Sequence, residues 1–129
     1  LIKLNELKIK IYETVSNLNT QFIGNCDVVF SVGYLKKIES EIIENYEIIN
    51  LHPSLLPKYK GLMTHKRMLI NNENKYGYSI HKVTKYLDDG EILSQNQKSI
   101  STSGENELST NHKRLEHQEV FKDLVNFLN

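Results

Sequence analysis

The sequence predicts an α/β fold: a mostly parallel sheet that finishes in an antiparallel hairpin and a long C-terminal helix. Three patterns predict it. A strand, a helix and a second strand follow one another between Asp27 and Asn50. Two alternating segments flank the turn Asp88-Asp89-Gly90, and a helix-spaced apolar segment closes the chain. Strand, helix and strand in so short a span form a βαβ unit, whose two strands run parallel.

Taken in order, Leu7 to Tyr12 alternates apolar and polar, the period of a half-buried strand. A polar stretch from Glu13 to Asn25 follows, with a short helix expected around Leu18, Phe22 and Ile23. Asp27 to Val32 is a compact apolar run ending at Gly33, read as a strand buried on both faces. Lys36 to Tyr46 carries Ile38, Ile42, Ile43 and Tyr46 at helical steps. Glu47 to Asn50 is then a short strand. Thr64 is placed to cap a helix running to about Asn71. Gly77 to Thr84 alternates, with Tyr78, Ile80 and Lys82 on one side and Ser79, His81 and Val83 on the other. Ile92 to Ile100 returns antiparallel. Ser101 to Gly104 is a loop, and from about Glu107 a helix buries Phe121, Leu124, Val125 and Leu128.

The totals narrow the classes. The chain of 129 residues makes one domain, 1–129, large enough to bury roughly two-thirds of its unfolded surface. Sixteen basic residues balance sixteen acidic ones, so bulk charge names neither nucleic acid nor an acidic membrane as partner. Cys26 is the single cysteine, which excludes a disulfide framework and a zinc-type cysteine pair and suits a reducing cytoplasm. No apolar run approaches a membrane span. The oligomeric state is not readable from these features.

The chemistry concentrates at Asn50-Leu51-His52-Pro53-Ser54-Leu55-Leu56-Pro57, which holds both prolines. Residues two apart on an extended segment share a side, so Asn50 and His52 can address one atom. Pro53 biases His52 toward an extended backbone. An asparagine amide can steady a developing oxyanion, and a histidine can donate a proton near physiological pH. A nearby aspartate, Asp88, would favour the charged imidazole and hold one ring orientation. Asn50, His52 and Asp88 suit acyl transfer through a tetrahedral oxyanion. No serine or cysteine is visibly activated, so direct attack by a substrate amine fits better than a covalent enzyme intermediate. On chemistry alone, a structural Asn at a strand end and a His bonded to a carbonyl remain the plainer account. A metal site built from His52, His81 and Asp88 lacks a short-spaced ligand pair, and none is expected.

Asn50 to Gly61, with Gly77-Tyr78-Ser79-Ile80-His81-Lys82-Val83-Thr84 and Leu87-Asp88-Asp89-Gly90, resembles the signature of the folate-dependent formyltransferases. Ser31-Val32-Gly33-Tyr34-Leu35 stands where that family has a small-Gly-aromatic segment. Arg114-Leu115-Glu116-His117 resembles its Glu-His pair on the last helix. The blocks fall in the family's order from about Asp27 to the C-terminus, closest to the enzymes that formylate glycinamide ribonucleotide in purine biosynthesis. The resemblance implies a Rossmann-like formyltransferase fold with 10-formyltetrahydrofolate as cosubstrate and no metal. It implies Asn50, His52 and Asp88 as the catalytic trio and His81 as their support, although a core histidine would explain His81 too. It places the folate against Leu35, Lys36 and Lys37 and against Thr84, Lys85, Tyr86 and Leu87. Glu116 falls on the nucleotide-substrate side, or is a solvated helix charge. His65 is expected to serve helix packing, and His112 to lie at the surface.

The pattern also departs from the family. Relatives begin with a strand and a glycine-rich loop that cradles the substrate phosphate; here no GxG occurs and the sequence starts at Leu1. The expectation is a partial domain lacking that phosphate-binding portion, with little activity of its own. Alternatives are a sugar N-formyltransferase acting on a nucleotide-linked amino sugar, and a truncated remnant that binds folate or a partner chain without catalysis. A deformylase is disfavoured by Pro53, where that enzyme usually has a second His. A methionyl-tRNA formyltransferase would be expected to continue into an RNA-binding domain.

Overall fold

The computed structural model describes Thr14 and residues 16–128, so the strand expected at Leu7–Tyr12 lies outside the described residues. The elements are α1 (Thr20–Ile23), β1 (Val29–Val32), α2 (Ser40–Asn45), β2 (Ile48–His52), α3 (Thr64–Ile70), β3 (Lys75–Lys82), β4 (Ile92–Ser99) and α4 (Glu105–Leu128). The four strands form one sheet in the order β1-β2-β3-β4. β1 and β2 are parallel, whereas β2–β3 and β3–β4 are antiparallel. The βαβ unit and the C-terminal hairpin stand as expected. Among the described residues, the parallel part of the sheet is the β1–β2 pair.

Local chemistry explains where the elements differ from the sequence pattern. α1 is a single turn capped by Asn19, whose Oδ1 accepts the Phe22 N–H at 2.7 Å. β1 is not buried on both faces: Ser31 is buried but Val32 is 55% exposed. It is the terminal strand of the described sheet, with a described partner on one side only. α2 starts at Ser40 rather than Lys36, and Tyr46 has already left the helix in extended geometry. The Tyr46 hydroxyl instead donates to the Gly24 carbonyl at 2.5 Å, so its helical spacing reflects packing against the α1 turn. β2 runs on to His52, consistent with the extended bias that Pro53 imposes on the residue before it. α3 begins at Thr64 but its cap is Met63, in the left-handed region at φ 56° with no side-chain cap bond.

The core lies on one face of β2 and β3. Ile49 and Leu51 of β2 join Tyr76, Tyr78 and Ile80 of β3, Met68 of α3, and Leu108, Leu115 and Leu124 of α4. α4 is longer than its apolar pattern suggested, and its buried stripe sits further back. Leu108, His112, Leu115 and Leu124 are buried, while Leu128 is 40% exposed. A histidine in the middle of that stripe hid it from a reading based on apolar spacing. The helix is tied to the sheet by a polar joint beneath the core. The Tyr78 hydroxyl bonds the Asp123 carboxylate, and Asn96 Nδ2 donates to both, at 2.8 and 2.6 Å. Burial pushes the Tyr78 phenol above its usual value.

Gly77 lets β4 close tightly on β3. A Cβ there would stand 1.9 Å from the Asn96 carbonyl oxygen and 2.8 Å from Leu55 Cδ2. Backbone cannot retreat as a flexible side chain can. Gly77→Ala is therefore expected to lower unfolding free energy by about 1–3 kcal/mol, read as a reduced urea midpoint with an unchanged slope.

Candidate active site

Because side chains alternate along a strand, the residues between the core positions of β2 and β3 all project from the opposite face. Asn50 pairs in register with His81, and His52 with Ser79. The four side chains thus form a two-by-two polar array backed by the core. Ser31 of β1 pairs with Asn50 in the parallel register, extending the row.

The hydrogen bonds decide how this array is set. His81 Nδ1 lies 3.0 Å from the Lys82 carbonyl, which can only accept, so Nδ1 carries the proton. Its Nε2 is then the acceptor for Asn50 Nδ2, at 3.2 Å. That contact orients the amide and leaves its second N–H uncommitted by this bond. Burial holds His81 below the ordinary imidazole value, against the opposing pull of the Lys82 carbonyl and Asp88. The ring is therefore neutral at physiological pH. His52 Nε2 donates to the Tyr59 carbonyl at 2.8 Å, while Nδ1 lies 3.5 Å from Asp88 Oδ2. Both nitrogens of His52 thus face acceptors, an arrangement that a doubly protonated ring satisfies.

Asp88 reaches this face from the β3–β4 connection. Its backbone is in the left-handed region at φ 48°, which aspartate tolerates better than most residues. Oδ2 accepts the Gly61 N–H at 2.8 Å, and Oδ1 lies 3.8 Å from His81 Nε2. Asn50, His52, His81 and Asp88 are accordingly brought together, from β2, β3 and the loop after β3. A neutral donor, an imidazole and a carboxylate converge where an oxyanion and a mobile proton could be handled.

A second polar layer, which the sequence reading missed, holds the segment after β2. Ser79 Oγ donates to the Ser54 carbonyl at 2.7 Å and accepts from Leu56 N–H and Gln95 Nε2. Ser54 Oγ donates to the Lys58 carbonyl at 2.7 Å. These bonds fix residues 54–59, and with them the Tyr59 carbonyl that His52 uses. The sequence signal was available for Ser79, two residues before His81 on one strand, but not for Ser54 or Gln95.

Residues 11–127 match the formyl transferase family. The chain belongs to this family. Over 71 residues it is 41% identical to phosphoribosylglycinamide formyltransferase of Escherichia coli K12, an alignment that covers 54% of this chain and 34% of that protein. Methionyl-tRNA formyltransferase of Borrelia hermsii is 36% identical over 98 residues, covering 74% of this chain and 30% of the relative. The crystal structure of phosphoribosylglycinamide formyltransferase from Bacillus halodurans superposes with a TM-score of 0.75 at 27% identity, over 99% of this chain and 59% of that one. The chain thus spans about a third of the length of these curated relatives.

The remaining positions singled out from the formyltransferase signature lie outside the two strands that carry the array. Leu35, Lys36 and Lys37 follow β1, Thr84, Lys85, Tyr86 and Leu87 follow β3, and all are exposed. Glu116 Oε1 accepts from His112 Nε2 at 2.7 Å, one turn earlier on α4. His112 is not a surface residue: it is 2% exposed, and its ring packs between His65 and Tyr76. The spacing of four between His112 and Glu116 was the signal for that pair. Among the described residues, no group of three or more His, Cys, Asp and Glu is arranged to hold a metal ion. No described helix is long and apolar enough to cross a membrane.

His65 packs against His112 with ring centroids 4.8 Å apart, and its Nε2 is buried without a partner. Burial, then the neighbouring His112, lowers its pKa to about 4. Between about pH 4 and 6.5 the unfolded ring binds a proton that the folded ring refuses, so stability rises with pH across that window. It is fully present above 6.5 and is lost as pH falls toward 4. His81 acts in the same sense. Urea titrations should show His65→Leu flattening this dependence by on the order of 2 kcal/mol; an unchanged slope would contradict the assignment.

Proposed function

We propose that this formyltransferase-family chain carries the reacting site for transfer of the formyl group of 10-formyltetrahydrofolate to the amine of glycinamide ribonucleotide, in cytoplasmic purine biosynthesis. The observation that carries this reading is the convergence of Asn50, His52 and Asp88 on one polar face. The choice of acceptor is supported by the identity to the Escherichia coli enzyme.

The amine nitrogen attacks the formyl carbon, and the carbonyl electron pair moves onto oxygen. The second N–H of Asn50 and the Nδ1–H of His52 hold that oxyanion. At 3.5 Å from Asp88 Oδ2 that Nδ1–H is beyond a firm hydrogen bond, so it can be shared with the oxyanion while Nε2 stays on the Tyr59 carbonyl. Asp88 takes a proton from the attacking amine. Collapse of the intermediate breaks the bond between the formyl carbon and N10 of the folate, and the proton is delivered to N10. His81 keeps the Asn50 amide from turning its oxygen toward the reaction. Leu35, Tyr86 and Leu87 offer exposed apolar surface to the folate, alongside Lys36, Lys37, Thr84 and Lys85. Glu116 serves the nucleotide side in this reading through Oε2, while Oε1 keeps its bond to His112.

The deciding assay offers 10-formyltetrahydrofolate with glycinamide ribonucleotide, a nucleotide-linked amino sugar and methionyl-tRNA in turn. Formyl transfer to the ribonucleotide is expected, and transfer only to another acceptor would overturn the choice. Folate binding with no transfer to any acceptor would favour a non-catalytic remnant. Asp88→Asn should reduce turnover by about a hundredfold or more while folate affinity stays within a few-fold. Equal loss of both would remove Asp88 from the chemistry.

A further inference from the structure

Both His52 and Asp88 are held by the backbone of one short segment. His52 Nε2 donates to the Tyr59 carbonyl, and Asp88 Oδ2 accepts the Gly61 N–H. That segment is conformationally costly. Tyr59, Gly61 and Met63 all lie in the left-handed region, at φ 56°, 83° and 56°. The left-handed region is unfavourable for the non-glycine residues Tyr59 and Met63. Such a backbone persists only where its surroundings over-determine it.

Arg67, on the first turns of α3, supplies that determination. Its Nη1 donates to the Lys60 carbonyl at 2.7 Å and the Leu62 carbonyl at 3.0 Å, the residues on either side of Gly61. Its guanidinium also lies over the Tyr59 ring, 5.3 Å from the centroid. The Tyr59 ring is fixed at its far end, where the hydroxyl donates to Glu73 Oε1 at 2.7 Å. One planar cation therefore grips the segment at positions 59, 60 and 62, bracketing both atoms that hold the site. A lysine has a comparable charge but no planar face for the ring.

We propose that Arg67 is a positioning residue for formyl transfer: it fixes the Tyr59 carbonyl and the Gly61 N–H, and through them the His52 ring and the Asp88 carboxylate. This rests on the catalytic reading of His52 and Asp88, although the geometry it asserts can be measured without turnover. Arg67 touches neither residue directly, so its effect passes wholly through backbone.

The test compares Arg67→Met and Arg67→Lys with the unaltered protein by two readouts. The first is the ring-nitrogen spectrum of the histidines in a long-range ¹H–¹⁵N correlation at pH 8. His52 should show a proton held on Nε2 in the unaltered protein and an exchanging mixture in Arg67→Met. His112, anchored on α4 by Glu116, should be unchanged. The second is kinetics: Arg67→Met should lower kcat about ten- to a hundredfold with KM for the formyl donor within about twofold, and Arg67→Lys should recover part of the loss. An unaltered His52 spectrum in Arg67→Met overturns the proposal. So do parallel changes at His52 and His112 in both variants, which would mean general loss of structure. If the unaltered protein transfers no formyl group, the functional reading fails while the spectra still decide the role of Arg67.

Discussion

The antiparallel register between β2 and β3, with Asn50 opposite His81 and His52 opposite Ser79, is the constraint on which the other features rest. A slip of one residue would turn one strand's polar pair, Asn50 and His52 or Ser79 and His81, into the core and bring that strand's apolar neighbours out to the polar face. The apolar cost of that exchange fixes the register, and the register then fixes the site. The same pairing aligns Ser79 beneath the turn that follows β2, where its hydroxyl serves three partners. Core packing and chemistry are thus two outcomes of one strand alignment.

The loop from Ser54 to Met63 depends on this alignment and in turn completes the site. It begins tethered to Ser79, passes a cis Leu56–Pro57 peptide, and presents the Tyr59 carbonyl and Gly61 N–H toward β2 and the Asp88 loop. Asp88 is also positioned by the second loop, where Gly90 sits so close to the Lys82 carbonyl that a Cβ would approach it to 1.7 Å. Neither loop alone holds the array. The polar face is organised by two connections that meet through the Gly61 N–H on Asp88 and the Lys60–Asp89 ion pair.

Much of this was legible in the sequence, and the reasons for the remainder are physical. Alternation placed Asn50 and His52 on one side of a strand and set Ser79 and His81 opposite Tyr78 and Ile80. Asp88 stood out as a polar group in the turn after a strand, and the family resemblance joined it to the pair, because nothing in spacing alone carries a loop aspartate back over a sheet. Arg67, Tyr59 and Gly61 were invisible because they act through, or upon, main-chain atoms that every residue possesses. His112 was misjudged as a surface residue because a histidine interrupts the apolar stripe of α4, although its distance from Glu116 marked a helical pair. The expected burial of β1 overlooked its place at the end of the described sheet. The boundaries of α2 moved because Tyr46 packs on Gly24 instead of extending the helix.

The alternation in β2 and β3 also divides the mutational landscape of the protein. Within two short strands, neighbouring codons answer to different demands: positions 49, 51, 78 and 80 to the cohesion of the interior, positions 50, 52, 79 and 81 to proton and hydrogen-bond geometry. Volume can drift on the first set, through compensating exchanges among aliphatic neighbours, without altering a single polar atom of the second. Acceptor preference could therefore diverge among descendants of such a chain by changes in its loops while this pair of strands is inherited intact, with stability and chemistry evolving along separate axes of the same ribbon.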